Sequence, residues 1–278
     1  MRVLVFGASG LLGKDLVSAF ATGEVIGLSS KDADLRDARQ VLSSIREAQP
    51  DWIILSAAYA DVDACEKDPV KAFAVNRDGA AHVARAAAQI GSRLLFLSSD
   101  YVFNGEKHTP YETEDPKNPI NVYGRSKAEA ETMLLEIISE CCIVRTAWLF
   151  GLGGKCFPDT MLRLAKTQPE LRVVDDQRGC PTYTSDLANA ISALTRKQAS
   201  GIVHVTNSGS CSWFEFARRI LATRSSQAKV IPVTTAEFPR PAKRPAYSVL
   251  SSRSLQGFGI ELPDWQDALS RYLQQRGD

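Results

Sequence analysis

Val3-Leu4-Val5-Phe6, running straight into Gly7-Ala8-Ser9-Gly10-Leu11-Leu12-Gly13, decides the reading of this chain. Four apolar residues in a row suit a short buried strand. The glycines have GxxGxxG spacing, and beyond them Leu12, Leu16, Val17 and Phe20 recur at helical spacing. A strand that reverses on glycines into a helix is a phosphate cradle. One glycine permits the sharp turn, a second lets a diphosphate approach the backbone, and a third lets the helix pack close to the strand. The helix start adds free N–H groups and the positive end of its dipole. A glycine triad alone is a weak signal, and its place at the first strand-to-helix turn is what makes this one informative. The turn therefore predicts a dinucleotide site that includes Gly7, Ser9, Gly10, Leu11 and Leu12.

The same rhythm continues outward. Strands are expected at 25–28, 52–55, 94–97 and 142–146. Helices are expected at 35–48 and 121–138, with another from Asp68-Pro69 to about Gln89, ended by Gly91. Asp as N-cap with Pro at the first helical position is a start signal. Alternating strands and helices imply an α/β fold, a doubly wound parallel sheet of the Rossmann type. The second half is less regular. It offers strands at 171–174 and 202–205, and a capping box of Ser212 and Glu215 opening a helix through Leu221. A proline-rich basic stretch FPRPAKRPAY (238–247) and a last amphipathic helix from about Asp264 complete it. The expectation is a dinucleotide-binding domain over 1–150 and a smaller α/β substrate-binding lobe, mainly 151–278, interleaved with the first.

Composition removes several classes. A chain of 278 residues can bury about three quarters of its unfolded surface, so it needs no staples. Lys+Arg 33 against Asp+Glu 32 leaves +1, which argues against nucleic-acid binding through bulk charge and against a polybasic membrane binder. The apolar stretch WIILSAAYA (52–60) is far short of the roughly 20 residues of a membrane helix. The first apolar run opens into glycines instead of a cleavage site, so a cytoplasmic protein is expected. None of the 6 cysteines forms CxxC, and the 3 histidines lie far apart, so buried free thiols and no metal site are expected. The segment RPAKR (240–244) reads as a rigid loop and not as an RNA contact.

Two further features carry chemistry. A carboxylate at the end of the second strand would bind the ribose hydroxyls of NAD. Here Ser29, Ser30 and Lys31 stand there, which leans toward NADPH, while Asp32 close by keeps NADH an alternative. Asp34 and Leu35 are placed beside the adenine. Tyr123 and Lys127 have YxxxK spacing on one helix face between the fourth and fifth strands. A nearby ammonium is expected to lower the phenol's pKa, so that it can give a proton to a ketone or take one from an alcohol. Ser98 and Ser99 follow the fourth strand, at the sheet edge where such folds bind ligands. Either hydroxyl could stabilise charge on a carbonyl oxygen.

The segments GASGLLG (7–13), SAAYADVDACEKDP (56–69), AVN (74–76), SSDYVFNG (98–105), NPINVYGRSKAEAE (118–131), VRTAWLFG (144–151), DQRGCPT (176–182) and RPAYSVL (244–250) span almost the whole chain. Together they resemble the extended short-chain dehydrogenases/reductases, and among them the dTDP-4-dehydrorhamnose reductase family. The resemblance implies NADPH- or NADH-dependent reduction of the C4 ketone of a dTDP-4-dehydro-6-deoxyhexose, giving dTDP-L-rhamnose. By position it makes Ser99 the catalytic hydroxyl, Tyr123 the proton donor and Lys127 its partner. It places Ala57, Ala58 and Tyr59 beside the cofactor, and Asp100, Tyr101, Val102 and Trp148 near the sugar. Gln177, Pro181, Thr182 and Arg244 fall on the nucleotide or diphosphate side, where a guanidinium can bind bidentately.

Departures from the family pattern are Leu12 for a common glutamine, Ala60 and Ser99 for threonine, and Cys156 for asparagine. A dehydratase would need an Asp-Glu pair, and Asp100 is followed by Tyr101. A reductase or epimerase for another nucleotide-sugar stays open. So does a non-enzymatic regulatory subunit resembling the methionine adenosyltransferase β subunit, and so does a homodimer.

Overall fold

The computed structural model describes residues 1–224 and 227–277. The chain begins β1 (Arg2–Phe6), α1 (Leu11–Ala19), β2 (Glu24–Leu28), α2 (Ala38–Ala48) and β3 (Trp52–Leu55), and β4 (Arg93–Ser99) and β5 (Cys141–Thr146) follow. With the strand Gly201–His204 they form one six-stranded sheet, ordered Gly201–His204, β5, β4, β3, β1, β2. Every pairing in it is parallel. The order reverses between β1 and β3, and a crevice opens beyond the C-terminal ends of strands at such a point. The residues there are Gly7 after β1 and Ser56 after β3.

Strand alternation builds a core on each face. Leu4, Phe6, Ile53, Leu55, Leu94, Phe96, Cys141 and Ile143 pack under α2 and the helices Gly79–Ile90 and Val122–Ile137. Val3, Val5, Ile54, Leu95, Leu97, Cys142 and Val144 pack under α1 and the helix Thr184–Arg196. The adjacent Cys141 and Cys142 thus enter opposite cores, and all six cysteines are buried and unbridged. A third core joins Phe150, Met161, Tyr183, Phe216, Ile220, Leu269 and Tyr272. The second half of the chain is therefore shared: 184–204 returns to the main sheet, while the helices Phe157–Ala165, Trp213–Ala222 and Trp265–Arg276 surround the third core.

Local signals set the boundaries. Asp37 caps α2, and Asn121 caps the Val122–Ile137 helix by accepting from the Gly124 N–H. Ser212 and Glu215 form the reciprocal capping box, and Asp264 caps the last helix. The helix expected from Asp68 is instead two pieces, Pro69–Phe73 and Gly79–Ile90, joined by a wide π turn at Ala74–Asp78. The turn contains Asn76, whose amide bonds both the N–H and the carbonyl of Tyr59 and also Ser126 Oγ. The widened turn thus pins the loop after β3 to the Val122–Ile137 helix, a use of π turns seen near functional sites.

Glu131 on that helix is fully buried and receives both Arg145 Nε at 2.9 Å and Arg145 Nη2 at 2.8 Å, from β5. Ser98 of β4 donates to Glu131 Oε1 at 2.5 Å. Lys117 also lies 3.4 Å from Glu131 Oε2, but removing Arg145 takes away the two direct guanidinium hydrogen bonds and leaves the buried charge largely uncompensated. Arg145→Met is expected to cost about 3–5 kcal/mol in urea unfolding. Arg145→Met combined with Glu131→Gln is expected to regain most of that loss. A double variant no more stable than the single one would show that packing, not charge, sets the cost.

Candidate active site

Gly7 has φ +90°, and a Cβ there would lie 2.7 Å from the Ala57 nitrogen. A Cβ on Gly13 would collide with the Gly7 carbonyl oxygen. These contacts let α1 start directly against the ends of β1 and β3. The α1 N-cap is Gly10, with no side-chain cap and no acidic residue in the first turn. Its first-turn N–H groups are left for an anion. They open on a cavity of about 800 Å³. Gly7, Ser9, Gly10, Leu11 and Leu12 line one end, with Ser30, Ala57 and Ala58 beside them.

Ser99, Asp100, Tyr101, Tyr123 and Lys127 line the same cavity. Both serines at the end of β4 border it, but they have different work. Ser98 is held by Glu131, whereas Ser99 is tied to its own turn and faces the Tyr123 phenol. Ser99 Oγ donates to Asp100 Oδ1 at 2.8 Å and accepts from the Tyr101 N–H at 3.1 Å. The Lys127 ammonium lies 3.9 Å from the Phe96 ring centroid. Burial pulls its pKa down to about 7, opposed by the charge of Glu131 one helical turn away. The expected lowering of the Tyr123 pKa is not found. Burial and the Asp100 charge push the phenol well above its ordinary range, and the Ser99 hydroxyl opposes them. Desolvation penalises the phenolate, and Lys127 is not among the groups that offset it.

The far wall is aromatic. Trp148 stacks on Trp213 at 3.5 Å between centroids, 7° apart in plane, and Phe157 packs against Trp213 at 4.6 Å. Trp148 has φ +46°, a backbone region unusual for a bulky residue. Its indole occupies the space that a Gly179 side chain would fill. Trp213, Phe157, Thr160, Lys155 and Thr146 also line the cavity and were not found by sequence reasoning. Only Thr146 carried a usable signal, since it ends β5 in register with Ser99.

Apart from Ser30, the remaining candidates lie outside the cavity lining. Ser29 donates through its N–H and hydroxyl to Asp32 Oδ2, which leaves Ser30 and Lys31 exposed on the loop after β2. Asp34 is paired with Arg36, and Leu35 is buried in the first core. Tyr59 lies under Lys71, whose nitrogen is 4.6 Å from its ring centroid. Val102 is buried beside Phe103 and Tyr111. Gln177 donates to Thr235, Pro181 is buried, and Thr182 is buried with its N–H on the Trp148 carbonyl. Arg244 is engaged by Asp63, at 2.6 Å from Nη1 to Oδ1. Among the described residues no cluster of three or more His, Cys, Asp or Glu is arranged to hold a metal ion.

A family model described as the RmlD substrate binding domain matches residues 1–277. The chain is 44% identical over 277 residues to the spore coat polysaccharide biosynthesis protein SpsK of Bacillus subtilis, covering 99% of this chain and 98% of that protein. It is 42% identical over 286 residues to the dTDP-4-dehydrorhamnose reductase of Sinorhizobium fredii, covering 98% and 97%. Among solved structures, the dTDP-4-dehydrorhamnose reductase of Bacillus anthracis in complex with NADP aligns with a TM-score of 0.96 at 39% identity, covering 99% of each chain.

Asp63 fastens the proline-rich stretch to the first half of the chain. It accepts from Arg240, Arg244 and the Ala242 N–H. Burial raises its pKa, but the Arg244 and Arg240 hydrogen bonds outweigh burial and hold the carboxyl well below the ordinary range. A carboxylate with a depressed folded pKa stabilises fully above the unfolded value of about 3.9, and the contribution is lost as pH falls through the folded value. Asp63→Asn is therefore expected to lower Tm by several degrees at neutral pH, with the gap to wild type closing toward about pH 2. Thermal melts across that range check it, and a gap independent of pH would refute the charge argument.

Proposed function

The chain belongs to the RmlD substrate binding domain family, and on that premise we propose that it is an NADPH-dependent reductase of the C4 ketone of a dTDP-4-dehydro-6-deoxyhexose, converting dTDP-4-dehydrorhamnose to dTDP-L-rhamnose. The observation that carries this reading is the continuity of one cavity. It joins an uncapped helix start, built for an anion, to Ser99, Tyr123 and Lys127, and ends against Trp148 and Trp213. The relatives named as dTDP-4-dehydrorhamnose reductases, one of them solved with NADP, support the same reading. A regulatory role would not require the hydroxyl, phenol and ammonium to share that cavity.

The cradle fits a dinucleotide, because the α1 N-terminus faces the cavity with no side-chain cap and no acidic residue in its first turn, and the glycines let that helix start directly against the sheet. Gly7, Ser9, Gly10, Leu11 and Leu12 would hold the diphosphate, with Ala57 and Ala58 beside it. Ser29, Ser30 and Lys31 would meet a 2′-phosphate; Asp32 stays ionised, with its Oδ2 held by the Ser29 N–H and hydroxyl and its charge partly offset by Lys31. When bound, NADPH supplies a hydride to the ketone carbon. Tyr123 gives its phenolic proton to the ketone oxygen. The raised pKa keeps that proton in place until charge develops on the oxygen. Ser99 donates a hydrogen bond to the same oxygen. Lys127 favours the phenolate left on Tyr123 and orients the nicotinamide ribose. The flat Trp148–Trp213 stack suits one face of the deoxysugar.

On this reading residues 1–150 form the dinucleotide-binding domain, and 151–278 form mainly the substrate lobe, interleaved through 184–204. No helix among the described residues is long and apolar enough to cross a membrane. The proposal places the enzyme in the cytoplasm with its nucleotide-sugar.

NADPH absorbance after addition of dTDP-4-dehydrorhamnose tests the reading. Tyr123→Phe is expected to lower kcat by about 10²–10⁴-fold while NADPH still binds. Lys31→Ala is expected to reduce the preference for NADPH over NADH by roughly tenfold, the equivalent of about 1.4 kcal/mol. No oxidation of either cofactor by the wild-type protein would reject the reductase assignment.

A further inference from the structure

Ser99 can donate only one hydrogen bond, because a hydroxyl carries one proton and two acceptor lone pairs. That proton is committed to Asp100 Oδ1 at 2.8 Å, and one lone pair already accepts the Tyr101 N–H. In this arrangement Ser99 has nothing to offer a ketone oxygen in the cavity. Asp100 itself borders the cavity and is 2% exposed, and its Oδ2 makes no well-formed hydrogen bond among the described residues, the Ser248 hydroxyl being the neighbour that steadies the carboxyl. A buried carboxylate with one oxygen unpartnered is costly, and taking the Ser99 proton away from it would cost more.

We infer that Asp100 is a positioning residue whose protonation turns the Ser99 hydroxyl: ionised Asp100 holds the Ser99 proton inward, and protonated Asp100 donates to Ser99 Oγ and sends that proton into the cavity. In the second state Ser99 Oγ accepts from both the Tyr101 N–H and the Asp100 carboxyl and donates once toward the substrate. No atom is consumed, and the proton that completes the alcohol still comes from Tyr123. The inference rests on the proposed role of Ser99, and it assigns Asp100 a task beyond touching the sugar.

The surroundings suit such a switch. Burial lifts the Asp100 pKa to about 6, and the hydroxyls of Ser248 and Ser99 restrain it. The other titratable groups facing it are Tyr101 on its own turn, Tyr123 on the Val122–Ile137 helix and Cys180 on the segment before Thr182. All three are neutral at neutral pH, because burial raises each of them. Arg244 approaches Tyr101 but is paired with Asp63. No counter-ion therefore holds Asp100 ionised. The direction follows: protonation is favoured as pH falls, so turnover should fall as pH rises through the Asp100 value.

Two measurements test this. The first is infrared difference spectroscopy of the ligand-free protein across pH 5–8, with Asp100→Asn as the reference. The expected result is a protonated-carboxyl band that titrates near pH 6 and is absent from the variant. Its absence from the wild type throughout that range would overturn the inference, whatever the substrate. The second is the pH profile of turnover. An asparagine amide can donate to Ser99 at every pH, so Asp100→Asn is expected to flatten the roughly tenfold fall per pH unit of the wild type. A wild-type-like slope in the variant would also overturn the inference. Failure of the wild type to reduce the ketosugar would count against the reductase reading alone, and the infrared titration would still decide the state of Asp100.

Discussion

A buried ion pair holds the site together. Glu131 reaches from the Val122–Ile137 helix under the ends of β4 and β5, where Arg145 grips it through two nitrogens and Ser98 donates a short hydrogen bond. That helix carries Tyr123 and Lys127, and β4 carries Ser99. The three reacting side chains come from two elements, and this network fixes one element against the other. A buried ion pair is a weak source of net stability, because desolvation consumes most of its attraction. Its directional hydrogen bonds nevertheless permit little sliding. A helix held only by Ala130 and Leu134 against the sheet could shift with small loss of apolar contact, and the spacing of Tyr123 from Ser99 would shift with it.

The other half of the cavity is assembled by approach. Glycines let α1 press on the ends of β1 and β3, and Asn76 draws in the loop after β3 through Tyr59. The third core delivers Trp148, Trp213 and Phe157 to the opposite wall. Asp63 then closes the ring of contacts by holding Arg240 and Arg244. Arg244 is in this state a structural cation. For it to meet a diphosphate, the anion would have to compete with Asp63, and a guanidinium with five donors can serve two acceptors at once.

The strands and helices of the first half were legible because they obey local rules. Alternating burial, Asp and Asn caps, and Gly91 at a helix end are each set within a few residues. The capping box at Ser212 and Glu215 was legible for the same reason. What escaped is set by distant partners. Ser98 and Ser99 are the same residue type side by side, and they differ because Glu131, 33 positions on, takes only the first. Leu35 and Val102 looked like cavity residues and are core residues, because the chain turns before them in ways that no short pattern records. Arg244 looked like a free cation because Asp63 is 181 positions away. The π turn was invisible because its cause is the Asn76 contact with Tyr59, not a propensity.

The electrostatics of the cavity have a single sense. Burial drives Lys127 toward neutrality at about 7, pushes Asp100 up to about 6, and raises Tyr123. Each shift favours the uncharged form, as expected where desolvation outweighs local partners. The nearest charge that favours the Lys127 ammonium is Glu131, and Arg145 already shares it. An anion entering at the α1 N-terminus would add negative potential to a low-dielectric space, and both Lys127 and Asp100 would then hold their protons more firmly. The phenol would hold its proton as well, and the Lys127 charge would be ready to favour the phenolate once that proton leaves. Three side chains that are poorly placed as isolated acids and bases thus become a protonated set together when an anionic guest arrives. Residue placement alone produces that coupling: the anion cradle and the reacting groups share one cavity of about 800 Å³.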